Sequence, residues 1–551
     1  MPRIPLWIFI LISLVYFTAA RVDIMDIDAS QYAEISREMA ESGSFLQIYD
    51  RGRDYLDKPP FLFWVSALSM KLFGANNFGY RFPSILFAIW ALFATYRLAR
   101  SLYDEHTGRL ATLVLGCCQG MFLMTNDVRT DTILMSWTVT AIWLIREWEV
   151  SRKRRYFFAG CAAVAFGMMT KGPIALMVSV FCFMAHWAMT RQWNMFFRPL
   201  YIPGILLIGL LLVPMSIGLY QQYDLHPEKL VDGKTGVSGL RFFFWTQSFG
   251  RITGENVWDN NAPFSFLYEN MLWAFLPWII LFTVALVVRI SDLFRRKEPG
   301  KDRAEWISPG GFILAYLALG SSSYQLPHYI FIVFPLASIM VAALLRRFAG
   351  GEFRKLGSLM TGTQVVVSLL LLVVAMLTFT YIFRGAWWCW AIWGAGILSW
   401  GYLFRKERGV GRMVWLSAVA MIAANLIMTN HFYYTLLSRY QAGSNLGRYI
   451  ARHDLPADSL RIYKMDDPVN ILHFYAGRVV KKVDSFERLP LVPGMMVATG
   501  KSGLQEFRQH GIRFEVMHQG RLFKGSELTP EFINPATRRE ALKAFYLVRV
   551  K

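Results

Sequence analysis

Charge is scarce in this chain. Only 17% of its 551 residues are Asp, Glu, Lys or Arg, while 55% are hydrophobic; an ordinary soluble domain is about 25% charged. That balance excludes a single soluble globule and points to a polytopic membrane protein. Acidic residues are the scarcer sign, with 38 Asp and Glu against 58 Lys and Arg. A basic excess can serve nucleic acid, but that needs a basic patch on a soluble face. Here the cations sit in short clusters between apolar runs, so nucleic acid is not an expected partner and anionic membrane lipids are. The five cysteines (Cys117, Cys118, Cys161, Cys182 and Cys389) lie in or beside apolar segments without metal-ligand spacing. They read as small core residues. A Gly-rich phosphate loop and a nucleophile signature are also missing, so no nucleotide site is expected.

What is abundant is apolar sequence in long runs. A spanning helix needs about 20 largely apolar residues, and by that rule we expect about 13 spans. They fall at residues 5–20, 80–98, 108–125, 131–148, 156–170, 172–189, 200–220, 264–288, 309–322, 327–345, 358–382, 386–404 and 413–431. The first run resembles a signal-peptide core. Ala19-Ala20-Arg21 is a poor cleavage context, however, so the run reads as a retained signal anchor. Alternate loops are basic, from Arg97/Arg100/Arg109 and 152–155 through 295–297 to 405–408. The intervening loops lack such clusters, which places the N-terminus in the cytoplasm. Loops 21–79 and 221–263, and everything after residue 431, are then expected on the outer side.

The first outer loop carries helical punctuation. Asp28 or Ser30 can cap a helix whose stripe is Tyr32, Ile35 and Met39, with Glu34, Arg37, Glu38 and Glu41 around it and Gly43 ending it. Pro59-Pro60 keeps Lys58 extended, and a second apolar stripe runs from Phe61 to Phe73 as an interfacial helix rather than a span. The second outer loop is long and holds the aromatic run Phe242 to Trp245, ending at Arg251; long loops in compact proteins are usually functional. Beyond His431 the pattern changes to short alternating segments: 461–464, 478–483, 495–498, 512–516 and 544–550. These are strands separated by helical stretches. The expected organisation is a transmembrane domain over 1–431 and a soluble α/β domain over 432–551.

The ionisable residues of the first loop (Asp26, Asp28, Glu34, Asp54, Asp57 and Lys58) are the candidates for chemistry. The block DASQYAEISREM from Asp28 to Met39, then YLDKPP from Tyr55 to Pro60, then LFGANNFGYRFPS from Leu72 to Ser84, resembles the ArnT family of aminoarabinose transferases. These are membrane glycosyltransferases of the GT-C fold, together with protein O-mannosyltransferases. The family usually has Asp-Glu where this chain has Asp28-Ala29, and Glu-Lys-Pro where it has Asp57-Lys58-Pro59. The pivotal aspartate and the charge are kept.

The resemblance implies transfer of 4-amino-4-deoxy-L-arabinose from undecaprenyl phosphate to lipid A phosphates. The setting would be the periplasmic face of a bacterial inner membrane, and the outcome resistance to polymyxin. It makes Asp28 the catalytic carboxylate, against its plain alternative as a helix cap. It suggests Asp131 as a second essential acid, with Asp127 as local competitor and Arg129 able to pair with either. Lys58 and Arg251 suit the donor phosphate, Tyr55 can add a neutral donor, and Lys171 is a weaker candidate of the same kind. Asp57, His328 and Tyr329 are candidate head-group contacts. A divalent metal between Asp57 and His328 or His431 is a weaker expectation, since the sequence supplies no ligand spacing. The rival readings are another GT-C enzyme using a polyprenyl-linked sugar, such as a protein O-mannosyltransferase, or a lipid-linked-sugar flippase. A flippase would place its polar groups on broken helices near the midplane.

Overall fold

Length and side-chain composition sort the helices into three roles. The computed structural model describes all residues except 1, 232, 248–249, 251–259, 295–304, 466–469 and 526–527. Among the described residues, five helical stretches are long and apolar enough to cross a bilayer: Asn77–Leu102, Tyr201–Asp224, Pro327–Ala349, Arg354–Ile382 and Gly409–Tyr440. Pro327–Ala349 and Gly409–Tyr440 are mostly buried, so they form the centre of the helical body. Tyr201–Asp224 and Arg354–Ile382 are mostly exposed despite being more apolar. A helix apolar all round and uncovered by protein is a lipid-facing helix.

Of the other expected spans, 131–148, 156–170 and 386–404 form the unbroken helices Thr130–Ser151, Arg154–Lys171 and Trp387–Lys406, and two are divided. The run 108–125 forms Glu105–Gly116 and Gln119–Asn126, bent by 55° at Cys117-Cys118, and counts as a sixth span if the pair is taken together. The run 264–288 divides into Phe266–Ala274 and Ile279–Phe294 around Pro277, which has no N–H to continue the ladder. Trp7–Thr18, Ile174–Met189 and Ile307–Gly320 have 12, 16 and 14 residues. Such helices are shorter than the hydrocarbon thickness unless the ends of neighbouring segments extend them. The change in composition at His431 also proves not to be a break, because the helix from Gly409 runs through it to Tyr440.

Both expected loop helices form. The first spans Asp28–Ser42 and ends where Gly43 takes a φ of 73°, a left-handed conformation that a Cβ would strain. Tyr32, Ile35 and Met39 are buried as the stripe requires, but so are Glu34 and Arg37. The helix is not half-solvated because the C-terminal domain covers its other side: Arg37 Nη1 donates to the carbonyl of Gly477. The second helix spans Phe61–Phe73 and packs between the first and Asn77–Leu102. A two-residue hairpin, β1 (Tyr49–Asp50) with β2 (Arg53–Asp54), links the two.

The C-terminal domain is built on a five-stranded mixed sheet: β3 (Leu460–Tyr463), β4 (Lys481–Val483), β5 (Met496–Gly500), β6 (Phe514–Leu522) and β7 (Lys543–Val550), in spatial order β4-β3-β5-β7-β6. β3 pairs in parallel with β4 and β5, and β7 is antiparallel to β5 and β6. Alternate residues serve opposite faces, as a period of two demands. Ile462, Ala498 and Leu547 pack under helices Ala442–Arg452 and Asn470–Ala476, while Tyr463, Val497 and Val548 pack against Phe507 of helix Lys501–Gln509. The first two of those helices touch at Gly447, where a Cβ would lie 2.6 Å from the Leu472 carbonyl oxygen.

Candidate active site

Five short segments deliver ionisable side chains to one place. Asp28 opens its helix after Ile27 and makes no capping bond to the helix backbone. The carboxylate is turned outward instead, and its Oδ2 accepts from Arg129 Nη1 at 2.5 Å. Arg129 precedes helix Thr130–Ser151 in an extended conformation, and its Nε donates to Asp127 Oδ2 at 2.7 Å. Burial alone would lower the basicity of this guanidinium; Asp127 and Asp28 outweigh it and raise its pKa well above the ordinary arginine range. Arg129 is therefore a fixed cation joining two carboxylates from different loops.

A second ion pair stands beside the first. Asp131, in the first turn of Thr130–Ser151, is buried and accepts from Lys171 Nζ at 2.6 Å. Lys171 is the last residue of helix Arg154–Lys171, and its ammonium lies 4.2 Å from the centre of the Tyr329 ring, a cation–π distance. His328 Nε2 is 3.7 Å from the other oxygen of Asp131.

The third contribution is Lys58, whose Nζ is 2.5 Å from Asp57 Oδ2; the Asp57 backbone carbonyl accepts from the side chain of Gln247. Tyr55 is buried with its ring edge-on to Phe63, and its hydroxyl has no hydrogen-bond partner among the described residues. Burial first, then Asp57, Tyr32 and Asp28, push its pKa well above the usual phenol value, so it stays a neutral donor. Tyr32 interacts electrostatically with Asp28, Asp57, Arg129 and Asp131, and His328 with Lys171, Arg129 and Lys58. The three pairs therefore share one space.

Of the residues singled out from the sequence, Asp28, Asp57, Lys58, Tyr55, Asp131, His328 and Tyr329 come together here. Arg251 lies outside the described residues. His431 is elsewhere: its Nε2 is 3.0 Å from the Phe383 carbonyl oxygen, and its ring packs between Phe383 and Trp388. Among the described residues no three His, Cys, Asp or Glu side chains are placed to hold a metal ion. His328 is flanked by three cations, Asp57 is engaged by Lys58, and His431 is committed to a backbone carbonyl. Arg129 and Lys171 carry more of the site than their sequence reading assigned. Their signal was a basic residue two positions from Asp127 and Asp131, or at a helix end, in stretches where basic clusters are missing.

Chemically, the arrangement offers Lys58, Arg129 and Lys171 to an anion, and a partly exposed carboxylate, Asp28, beside them. It suits a substrate whose leaving group is a phosphate and whose reacting carbon gains positive charge.

Residues 57–217 match the family model of dolichyl-phosphate-mannose-protein mannosyltransferase. The chain is 28% identical over 331 residues to the undecaprenyl phosphate-alpha-4-amino-4-deoxy-L-arabinose arabinosyl transferase of Edwardsiella ictaluri, covering 59% of this chain and 56% of that one. It is also 28% identical over 332 residues to the protein of that name in Pseudomonas aeruginosa, with the same coverage of both chains. The chain thus spans a little over half the length of the curated relatives it matches. In three dimensions it is similar to ArnT from Cupriavidus metallidurans bound to undecaprenyl phosphate, with a TM-score of 0.73, 18% identity and coverage of 98% of this chain and 97% of that one. The chain shares its fold with that protein.

Proposed function

We propose that this protein is a lipid-linked pentosyltransferase that moves 4-amino-4-deoxy-L-arabinose from undecaprenyl phosphate to phosphate groups of lipid A. The observation that carries the reading is the convergence of three buried or half-buried ion pairs, Asp28–Arg129, Asp57–Lys58 and Asp131–Lys171, on one space in a GT-C fold. The names of the curated relatives, and the undecaprenyl phosphate bound by the structural neighbour, support the substrate class.

In this reading Lys58 and Lys171 hold the donor phosphate, with Tyr55 as a neutral donor and Arg251 as a further phosphate ligand. Asp57, His328 and Tyr329 face the head groups. The ammonium groups neutralise charge as the bond from the anomeric carbon to the phosphate oxygen breaks. An incoming lipid A phosphate is already ionised near neutral pH and needs no base. Asp28 then orients the sugar and stabilises the positive charge growing on its ring, and a single displacement inverts configuration. Asp131 keeps Lys171 in place. The finer topology belongs to the same reading: about 13 spans counted by hydrophobic length, the N-terminus in the cytoplasm, and the site and residues 432–551 on the periplasmic side of the inner membrane.

The match of residues 57–217 to a protein mannosyltransferase model favours one second reading, a polyprenyl-linked sugar passed to a protein hydroxyl. Asp28 would then have to act as a true base toward the hydroxyl, a role that a phosphate acceptor does not ask of it. Expression in cells lacking their own aminoarabinose transferase separates the two. The account predicts lipid A carrying aminoarabinose by mass spectrometry and survival in polymyxin. Unmodified lipid A in cells that supply the donor would sink it.

A further inference from the structure

Residues 22–24 carry the chain from the first apolar helix to Asp28, and they are held from two sides. From the helical body, Arg81 donates to the carbonyls of Val22 and Asp23 and, through Nε at 3.0 Å, to that of Asn126. Asn126 adjoins Asp127, so one buried guanidinium ties together the two arms that bring Asp28 and Arg129 face to face. From the other side comes the C-terminal domain. Ile24 is fully buried, and both of its backbone polar groups are satisfied by side chains of that domain: its N–H donates to Tyr475 Oη at 3.0 Å, and its carbonyl accepts from Gln441 Nε2 at 2.8 Å. Asp23, also buried, accepts from Arg448 Nη1 at 2.7 Å and from Asn77 Nδ2 at 3.2 Å. Tyr475 Oη donates in turn to Asn77 Oδ1 at 2.6 Å, and the Arg448 guanidinium lies 4.3 Å from the centre of the Tyr475 ring.

Buried backbone groups and buried carboxylates need partners, and removing one leaves a desolvated group that drives local rearrangement. A segment whose partners come from another domain therefore takes its position from that domain. We propose that the C-terminal domain is a positioning device for the reaction centre, in which Gln441, Arg448 and Tyr475 fix the register of residues 22–28 and thereby set Asp28 against Arg129. The catalytic part of this inference rests on the transferase reading; the clamp itself does not.

The test uses the full-length protein purified in lipid nanodiscs, with Arg448→Ala, Tyr475→Phe and their double variant. Arg448→Lys serves as a conservative rescue, and Arg508→Ala, on the far helix of the same domain, as a control. Backbone hydrogen–deuterium exchange over residues 20–30 is read beside transfer kinetics with an undecaprenyl-linked sugar. Exchange over 20–30 should quicken in the double variant while the strands of the C-terminal sheet keep wild-type protection. The turnover number should fall by about 10- to 100-fold with little change in KM for the donor, since misplacing a reacting group costs rate rather than binding. Arg448→Lys should recover part of the loss and Arg508→Ala should show none. Wild-type exchange over 20–30 in the double variant would overturn the proposal, as would exchange that quickens equally throughout the domain. If the wild-type chain transfers no sugar, the functional reading fails, and the exchange arm still decides whether the clamp sets residues 22–28.

Discussion

Asp28 and Arg129 lie 101 residues apart in sequence and 2.5 Å apart in space, carboxylate oxygen to guanidinium nitrogen. The same guanidinium reaches Asp127 through Nε. Asp28 is therefore oriented by a partner that is itself anchored. Replacing Asp28 by Asn should abolish most turnover, by about 10²- to 10³-fold, the range seen when one transition-state stabiliser is removed. Arg129→Lys should fall between wild type and Arg129→Ala, because an ammonium cannot bridge both carboxylates as the planar fork does. Steady-state transfer rates check this; equal activity of all three variants would refute the assigned geometry.

The Asp131–Lys171 pair makes a prediction about stability. Both side chains are largely buried, and breaking one half of such a pair costs about 3–5 kcal/mol because the other charge is left behind. Asp131→Asn and Lys171→Met should each lower the melting temperature markedly. The double variant should recover much of the loss yet remain inactive. Additive losses in the double variant would show that the two do not interact.

Two buried groups near the junction of the first loop helix with the C-terminal domain titrate in opposite senses. Burial, only partly opposed by Arg37, pushes the Glu34 carboxyl up to about 7 from its ordinary 4.5. Between those values the folded chain holds the extra proton, so this contribution is full below 4.5 and is lost as pH rises to 7. Burial first, and then Arg51, lower His473 to about 3 from 6.5. Here the unfolded chain holds the extra proton, so the contribution is full above 6.5 and is lost as pH falls toward 3. Melting curves from pH 4.5 to 8 should therefore lose their neutral-side decline in Glu34→Gln and their acid-side decline in His473→Gln. Two variants with the wild-type pH profile would contradict both assignments.

Gly447 predicts a packing effect away from the chemistry. A Cβ there meets the Leu472 carbonyl oxygen at 2.6 Å and the Ala476 nitrogen at 3.0 Å. Gly447→Ala should force the helices bearing Arg448 and Tyr475 apart and lower the melting temperature, although Ala is the better helix former. An unchanged or raised melting temperature would show that the contact relaxes freely.

Much of the architecture was legible because it follows from local rules. The loop helices begin and end where Gly43, Pro60 and Gly74 dictate, and five strands lie at the five alternating segments, although the fourth, Phe514–Leu522, runs six residues past the expected 512–516. What local rules do not carry is what covers an element. Glu34 and Arg37 flank the apolar stripe in sequence, but the turn at Gly477, 440 residues from Arg37, closes over them. The spans at 108–125 and 264–288 read as continuous because apolar composition alone does not register the bend at Cys117-Cys118 or the helix break before Ile279. The acidic half of the site was visible from Asp28, Asp57 and Asp131, whereas Arg129 and Lys171 gained weight only once their partners were in place. One histidine near a helix end carries no directional information, and the His431 ring proves to sit among aromatics with its nitrogen on the Phe383 carbonyl.

The central claim is that Asp28, beside cations holding a lipid-linked phosphate, carries sugar transfer to a phosphate acceptor. The most direct measurement is transfer by the purified chain in nanodiscs, given undecaprenyl phosphate-linked aminoarabinose and lipid A and followed by mass spectrometry. The account predicts aminoarabinosylated lipid A and free undecaprenyl phosphate in equal amounts with the wild-type chain, and neither above background with Asp28→Asn. Undiminished product formation by Asp28→Asn, or donor consumption by the wild type without sugar on lipid A, would contradict it.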